Sequence, residues 1–264
     1  MSELLIEKQS HVIRISFNRP DLHTSFHPGL IAELSNFFKT EAVDPYIRAV
    51  VLEGEGASFS AGADLEWMRS MVKYTVEANE SDAQILFEMF ETIANCPTPL
   101  IAKVHGNVIG GGLGLAAVAD IVLAEFDTKF CFSEVRLGIA PAVISSFVLR
   151  KMNPGIARDL MLTGRMFDAT LAQQAGLVQF VGRELEMEQE LEVYLEYFRK
   201  AGSTAVRETK SLLNSYKGMN HSQMKMASTK LIAKLRTGIE GQEGIKAFLE
   251  KRKPNWIVEN GEKD

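Results

Sequence analysis

Only two cysteines, Cys96 and Cys131, occur in 264 residues, and no CxxC spacing joins them. That excludes a disulfide scaffold and a thiolate metal site, and two buried thiols in a reducing, cytoplasmic compartment are expected. The five histidines (His11, His23, His27, His105 and His221) form no HxxxH or HExxH pattern, so no metal cofactor is expected. Positive charge is also short. Against 34 Asp and Glu stand 29 Lys and Arg, a formal charge of −5, which argues against nucleic acid or a membrane surface as a partner. No long hydrophobic run exists. The most apolar stretch, Val108–Ala124, is rich in glycine, is broken by Asp120, and falls short of the roughly 20 residues of a membrane span. The opening MSELLIEKQS has neither a signal-peptide nor a transit-peptide pattern. Repeats, low-complexity tracts and flexible linkers are absent too.

What remains is a chain with 46% hydrophobic residues, enough for one large core. Val12–Phe17 half-alternates and reads as a strand ended by Asn18-Arg19-Pro20. Residues 28–40 place Leu30, Ile31, Leu34, Phe37 and Phe38 on one helical face. A buried strand is expected over 47–52 and a helix over 81–94, closed by Pro97 and Pro99. Leu100–Val104 and Ile121–Ala124 read as strands around a short helix at 111–118. Asp168 starts a short helix stopped by Gly176, and 177–181 is the last clear strand. Helices then follow at 184–200, 204–216, 222–236 and 243–251. This order predicts an α/β fold with buried, largely parallel strands.

Three segments carry chemistry. Phe59–Asp64 (FSAGAD) and Gly106–Asp120 (GNVIGGGLGLAAVAD) place small residues where strand gives way to turn or helix, so the backbone can approach a ligand and donate amide hydrogens. Asp64 is expected to cap the helix that follows. The glycine cluster is neither GxGxxG nor GxxxxGK[ST], which sets a nucleotide loop aside; close helix–strand packing is the plain alternative. Phe132–Gly138 (FSEVRLG) supplies one carboxylate, Glu134. Two amide donors and a carboxylate suffice to make and protonate a thioester enolate. A Ser–His hydrolase is disfavoured, because no histidine sits in a matching motif near Ser133, Ser145 or Ser146.

FSAGADL, GNVIGGGLGLAAVADI, SEVRLGI, LTGRMFDATLAQQAGLV and the ending EGIKAFLEKRKPNW together resemble the crotonase superfamily, the enoyl-CoA hydratase/isomerase family. The resemblance spans almost the whole chain. It implies a crotonase spiral of ββα units over residues 1–200. Residues 201–264 would form a C-terminal helical region packed on the core or a neighbouring subunit, in a homotrimer or homohexamer. It implies an acyl-CoA substrate, coenzyme A being part of that substrate and no other cofactor being needed. Carried over, the oxyanion hole falls on the backbone amides of Ser60 and Gly111. Ser60, Ala61, Gly62, Ala63, Asp64 and Leu65, with Gly111 and Gly114, would line the acyl and pantetheine path, and Leu22 would touch the adenine end.

The catalytic pair is where this chain departs. Typical hydratases carry two glutamates; here Gly114 stands at the first position and Glu134 alone survives at the second. Hydration of a 2-enoyl-CoA, with Glu134 holding water and returning a proton, is the first expectation. The motifs look most like hydratases of methylglutaconyl-CoA and carboxygeranoyl-CoA, whose substrates bring their own carboxylate; Arg136 and Lys103 are weak candidates to receive it. A Δ3,Δ2-enoyl-CoA isomerase also suits a single base, and a non-catalytic acyl-CoA binder is a third reading. A dienoyl isomerase is disfavoured by Ala142. Restoring the acid with Gly114→Glu is expected to speed hydration if the single carboxylate limits it.

Overall fold

A computed structural model describes residues 3–257. The strands run β1 (Leu4–Gln9), β2 (Val12–Phe17), β3 (Ala49–Gly54), β4 (Leu100–Val104), β5 (Asn107–Ile109), β6 (Ile121–Glu125), β7 (Lys129–Cys131), β8 (Phe167–Asp168) and β9 (Phe180–Gly182). The helices run α1 (Pro28–Thr40), α2 (Leu65–Met71), α3 (Val76–Asn95), α4 (Gly111–Val118), α5 (Ala142–Lys151), α6 (Pro154–Thr163), α7 (Ala169–Gln174), α8 (Glu184–Lys200), α9 (Ser203–Ser215), α10 (His221–Thr237) and α11 (Ile239–Leu249).

Six strands form one sheet in the order β1-β2-β3-β4-β6-β9, antiparallel at β1–β2 and parallel elsewhere. Alternation assigns its two faces. Ile13, Ile15, Val50, Leu52, Leu100, Ala102 and Val122 join the main core with α1, α3 and α4. Val12, Ala49, Val51, Ile101 and Leu123 face the other way, onto Met187, Leu191 and Leu195 of α8. A three-stranded sheet, β5-β7-β8, stands apart. Strands of two or three residues carry no readable period, so this sheet is invisible in the sequence.

Several boundaries move. β3 starts and ends two residues later than the pattern suggests. α3 begins at Val76 because Thr75 accepts a bond from the Ala78 amide. The last strand is shorter and later than expected, since the amides of Leu177 and Val178 are both held by the Ala172 carbonyl. α11 begins at Ile239 rather than Glu243. Helix α2 follows Asp64 as expected, whereas α5 and α6 have no counterpart in the sequence pattern, although Asn153-Pro154 is a clear start signal, with Asn153 accepting from Gly155 and Ile156.

Helix α4 positions the site. Lys151 Nζ donates to the Ala119 carbonyl at 2.6 Å and the Ala116 carbonyl at 3.4 Å, tying down its C-terminal end. Asp120, just beyond, accepts from the Leu100 amide at 2.7 Å and from Lys210 Nζ at 2.6 Å, and Lys210 also reaches the Thr98 carbonyl. Lys210 thereby pins α9 to the core.

Candidate active site

A parallel bridge between Ser60 and Val108 lays the FSAGAD segment along β5. The Ser60 amide donates to the Asn107 carbonyl at 3.1 Å, and the Ser60 carbonyl accepts from Ile109 at 2.9 Å. Ser60 is fully buried. This overturns the expectation that its amide is an oxyanion donor, since that hydrogen is already committed. A methyl on Gly112 would lie 2.7 Å from the Ser60 Cβ, so Ser60 is packing under the first turn of α4, away from any open path.

Ala61 donates to the His23 carbonyl at 2.9 Å, Gly62 to Ser60 Oγ at 3.3 Å, and Asp64 to the Phe26 carbonyl at 2.7 Å. Between the last two, the Ala63 amide meets no acceptor among the described residues. The Gly111 amide, at the start of α4, meets none either. Both residues are half-buried. Gly62 (φ +90°) brings the two stretches together: a methyl there would lie 3.1 Å from the Ile109 carbonyl oxygen and 3.9 Å from the Gly111 nitrogen. Two free main-chain donors thus flank one spot, and one of them begins a helix, where the partial positive charge adds to the effect.

Glu134 comes to the same place. It lies on a 3-10 turn (Ser133–Leu137), and a methyl on Gly110 (φ +50°) would sit 3.4 Å from its Oε1. Its Oε2 is buried without a hydrogen-bond partner among the described residues. Burial pushes the Glu134 carboxyl above the usual carboxylate range, against a smaller opposing effect of its own backbone amide. A buried acid with an idle oxygen beside two idle donors is a poor stability arrangement and a good catalytic one.

The remaining candidates divide. Asp64 is buried and caps α2, accepting from Glu66 at 2.8 Å and Trp67 at 3.4 Å. Ala61 is exposed, as are Leu65 and Leu22, which sits on a 3-10 turn (Pro20–Leu22). Gly114 is not on an open path. It is buried, and a methyl there would lie 2.6 Å from Ile144 Cγ2 and 2.7 Å from Phe90 Cζ. The room that a glutamate would need is filled by apolar side chains, which also removes Gly114→Glu as a clean restoration test. Lys103 belongs to the far face of the sheet, paired with Glu53 at 3.2 Å and with Glu188. Arg136 is exposed and runs past Gly164, to which a methyl would bring it within 3.4 Å. Neither cation faces Glu134. Cys96 and Cys131 are free, buried thiols. No helix among the described residues is long and apolar enough to cross a membrane.

The fold is that of a crotonase. Pseudomonas aeruginosa AtuE superposes with a TM-score of 0.94 at 34% identity, covering 97% of this chain and 100% of its own. An enoyl-CoA hydratase from Shewanella pealeana gives 0.92 at 32% identity, covering 97% and 96%. In sequence, the 2,3-dehydroadipyl-CoA hydratase of Escherichia coli is 30% identical over 264 residues, 97% of this chain and 99% of that protein. Residues 7–259 match the enoyl-CoA hydratase/isomerase family, and the chain belongs to it. It is an enzyme of that family, and an acyl-CoA substrate is consistent with the membership.

Proposed function

We propose that this enzyme hydrates a 2-enoyl-CoA thioester to the 3-hydroxyacyl-CoA. The observation that carries the reading is the pair of unspent amides at Ala63 and Gly111 beside the buried carboxyl of Glu134. The thioester carbonyl oxygen accepts from both amides. Glu134, ionised, takes a proton from a water that attacks the β-carbon, and the negative charge passes to the carbonyl oxygen as an enolate. The carboxyl then returns its proton to the α-carbon. Each amide strengthens its bond as charge develops, and one such donor is worth about 2.7–4 kcal/mol in other enzymes. The reading needs no metal or redox group, coenzyme A arriving with the substrate.

The substrate we favour is branched or carboxylated, of the methylglutaconyl-CoA kind. The likeness of GADLEWM, GGGLGL and SEVRLGIAPAVIS to such hydratases supports it, and so does a relative named for a dicarboxylic enoyl-CoA. We further propose a homotrimer or homohexamer built through residues 201–264, where Ile239, Phe248, Leu249 and Met226 stand exposed on α10 and α11. The presence of one carboxylate also favours a second reading, Δ3,Δ2-enoyl-CoA isomerisation, which moves one proton from the α- to the γ-carbon. Mixing with crotonyl- or methylglutaconyl-CoA should bleach the conjugated-enoyl absorbance. A 3-enoyl-CoA gaining that absorbance would favour the isomerase instead, and tight binding with no turnover of either would leave a binder.

A further inference from the structure

Arg19 ends the first strand pair with a side chain 12% exposed, and every nitrogen of its guanidinium is used. Nη1 donates to the Ser25 carbonyl at 2.5 Å, Nη2 to Asp64 Oδ2 at 2.9 Å, and Nε lies 3.2 Å from Glu3 Oε1. The other Glu3 oxygen meets His27 Nε2 at 2.5 Å. Ser25 and Asp64 are the outer ends of one bridge. The Phe26 amide donates to the Gly62 carbonyl and the Phe26 carbonyl accepts from Asp64, both at 2.7 Å. The peptide N–H of Ala63 lies between those two bonds. Phe26 reaches the other donor as well, its ring 3.2 Å from where a methyl on Gly111 would be.

We infer that Arg19 is a positioning residue for the oxyanion-binding amides, acting through Ser25 and Asp64 on the direction of the Ala63 N–H. The inference rests on the reading of Ala63 and Gly111 as donors given above. A planar guanidinium can hold a carbonyl and a carboxylate at a fixed angle; an ammonium can hold them only as a point charge. Arg19 touches no reacting atom in this arrangement. Its effect therefore belongs to the enolate more than to ground-state binding.

Acetoacetyl-CoA separates the two, because its enolate absorbs in the near ultraviolet and its thioester carbonyl would sit between the amides. With wild-type enzyme the enolate band should rise on binding. Arg19→Met should bind acetoacetyl-CoA with nearly the wild-type Kd, lose most of the band, and lose about 10–100-fold in kcat with KM little changed, the loss typical of a misplaced reacting group. Arg19→Lys should recover part of both. Asp64→Asn, which keeps the capping oxygen while weakening the pairing with Arg19, should reproduce the loss of band if Arg19→Met does not fold. A folded Arg19→Met or Asp64→Asn enzyme with wild-type band and kcat would overturn the inference and leave the donor reading standing. A wild-type enzyme that turns over but shows no band would overturn the donor reading and this inference with it.

Discussion

Replacing Glu134 by glutamine should cost activity and raise stability together. Glu134 Oε2 has no partner among the described residues, and burial drives the carboxyl upward. In the folded enzyme the group therefore binds its proton at a higher pH than in the unfolded chain. Between those two values the folded state holds more protons, so Glu134 makes stability fall as pH rises, and at neutral pH its charge is a burden. Glutamine has the same shape and no charge. The melting temperature of Glu134→Gln should thus exceed wild type at pH 7.5, with the gap narrowing towards pH 4.5 as the wild-type acid protonates. For activity, a positioned acid or base contributes about 10²–10⁴-fold, which at about 1.36 kcal/mol per decade is roughly 2.7–5.4 kcal/mol. One carboxyl must here both activate water and deliver the proton, so the upper half of that range is expected, a loss of about 10³-fold or more in kcat/KM. The assay is the bleaching of crotonyl-CoA at saturating and limiting substrate, beside thermal melts at the two pH values. A variant within tenfold of wild type, or one that melts lower at pH 7.5, would refute the argument.

Ser60→Ala should retain near-normal turnover and lose no more than about 1.5 kcal/mol, since the side chain only accepts one 3.3 Å bond from Gly62; a loss of about 10²-fold in kcat would mean that the Ser60 hydroxyl takes part in the reaction. Gly114→Ala should destabilise by about 1–3 kcal/mol by denaturant unfolding, because its methyl meets Phe90 and Ile144, and Gly114→Glu should be worse and give no gain in hydration. The pH profile of kcat/KM should show one ionisation on its acid side, displaced above the ordinary glutamate value by burial; two coupled ionisations there would mean a second acid in the site.

The regular elements were legible where one face is apolar and a cap is written in the chain. Val12–Phe17, Pro28–Thr40, Leu100–Val104, Gly111–Val118 and Glu184–Lys200 fall on the boundaries the pattern sets. The site was legible to within three residues. In FSAGAD any of four small residues could present an amide, and no local rule ranks them. Two long-range bridges decide it: Ser60 with Val108 consumes one hydrogen, and Phe26 with Ala63 leaves another free. Those partners lie 48 and 37 positions away. Glu134 was found through its motif, but its idle oxygen depends on burial that only packing creates.

Gly114 ties these points together. It sits one helical turn beyond Gly110, with its amide bonded to the Gly110 carbonyl at 3.2 Å, and Gly110 is the residue whose added methyl would meet Glu134. In a two-glutamate site the like charge of a second acid would raise the first one's pKa. In this chain burial raises it instead, and position 114 is closed over by Phe90 and Ile144, with the Phe147 ring tilted against Phe90 at 5.8 Å between centroids. An apolar wall also strengthens the field of fixed amide dipoles, because it excludes the water that would screen them. The space a side chain at position 114 would take is therefore occupied by hydrocarbon. Chemistry that stabilises the enolate well and moves one proton through one base is what such a pocket can support.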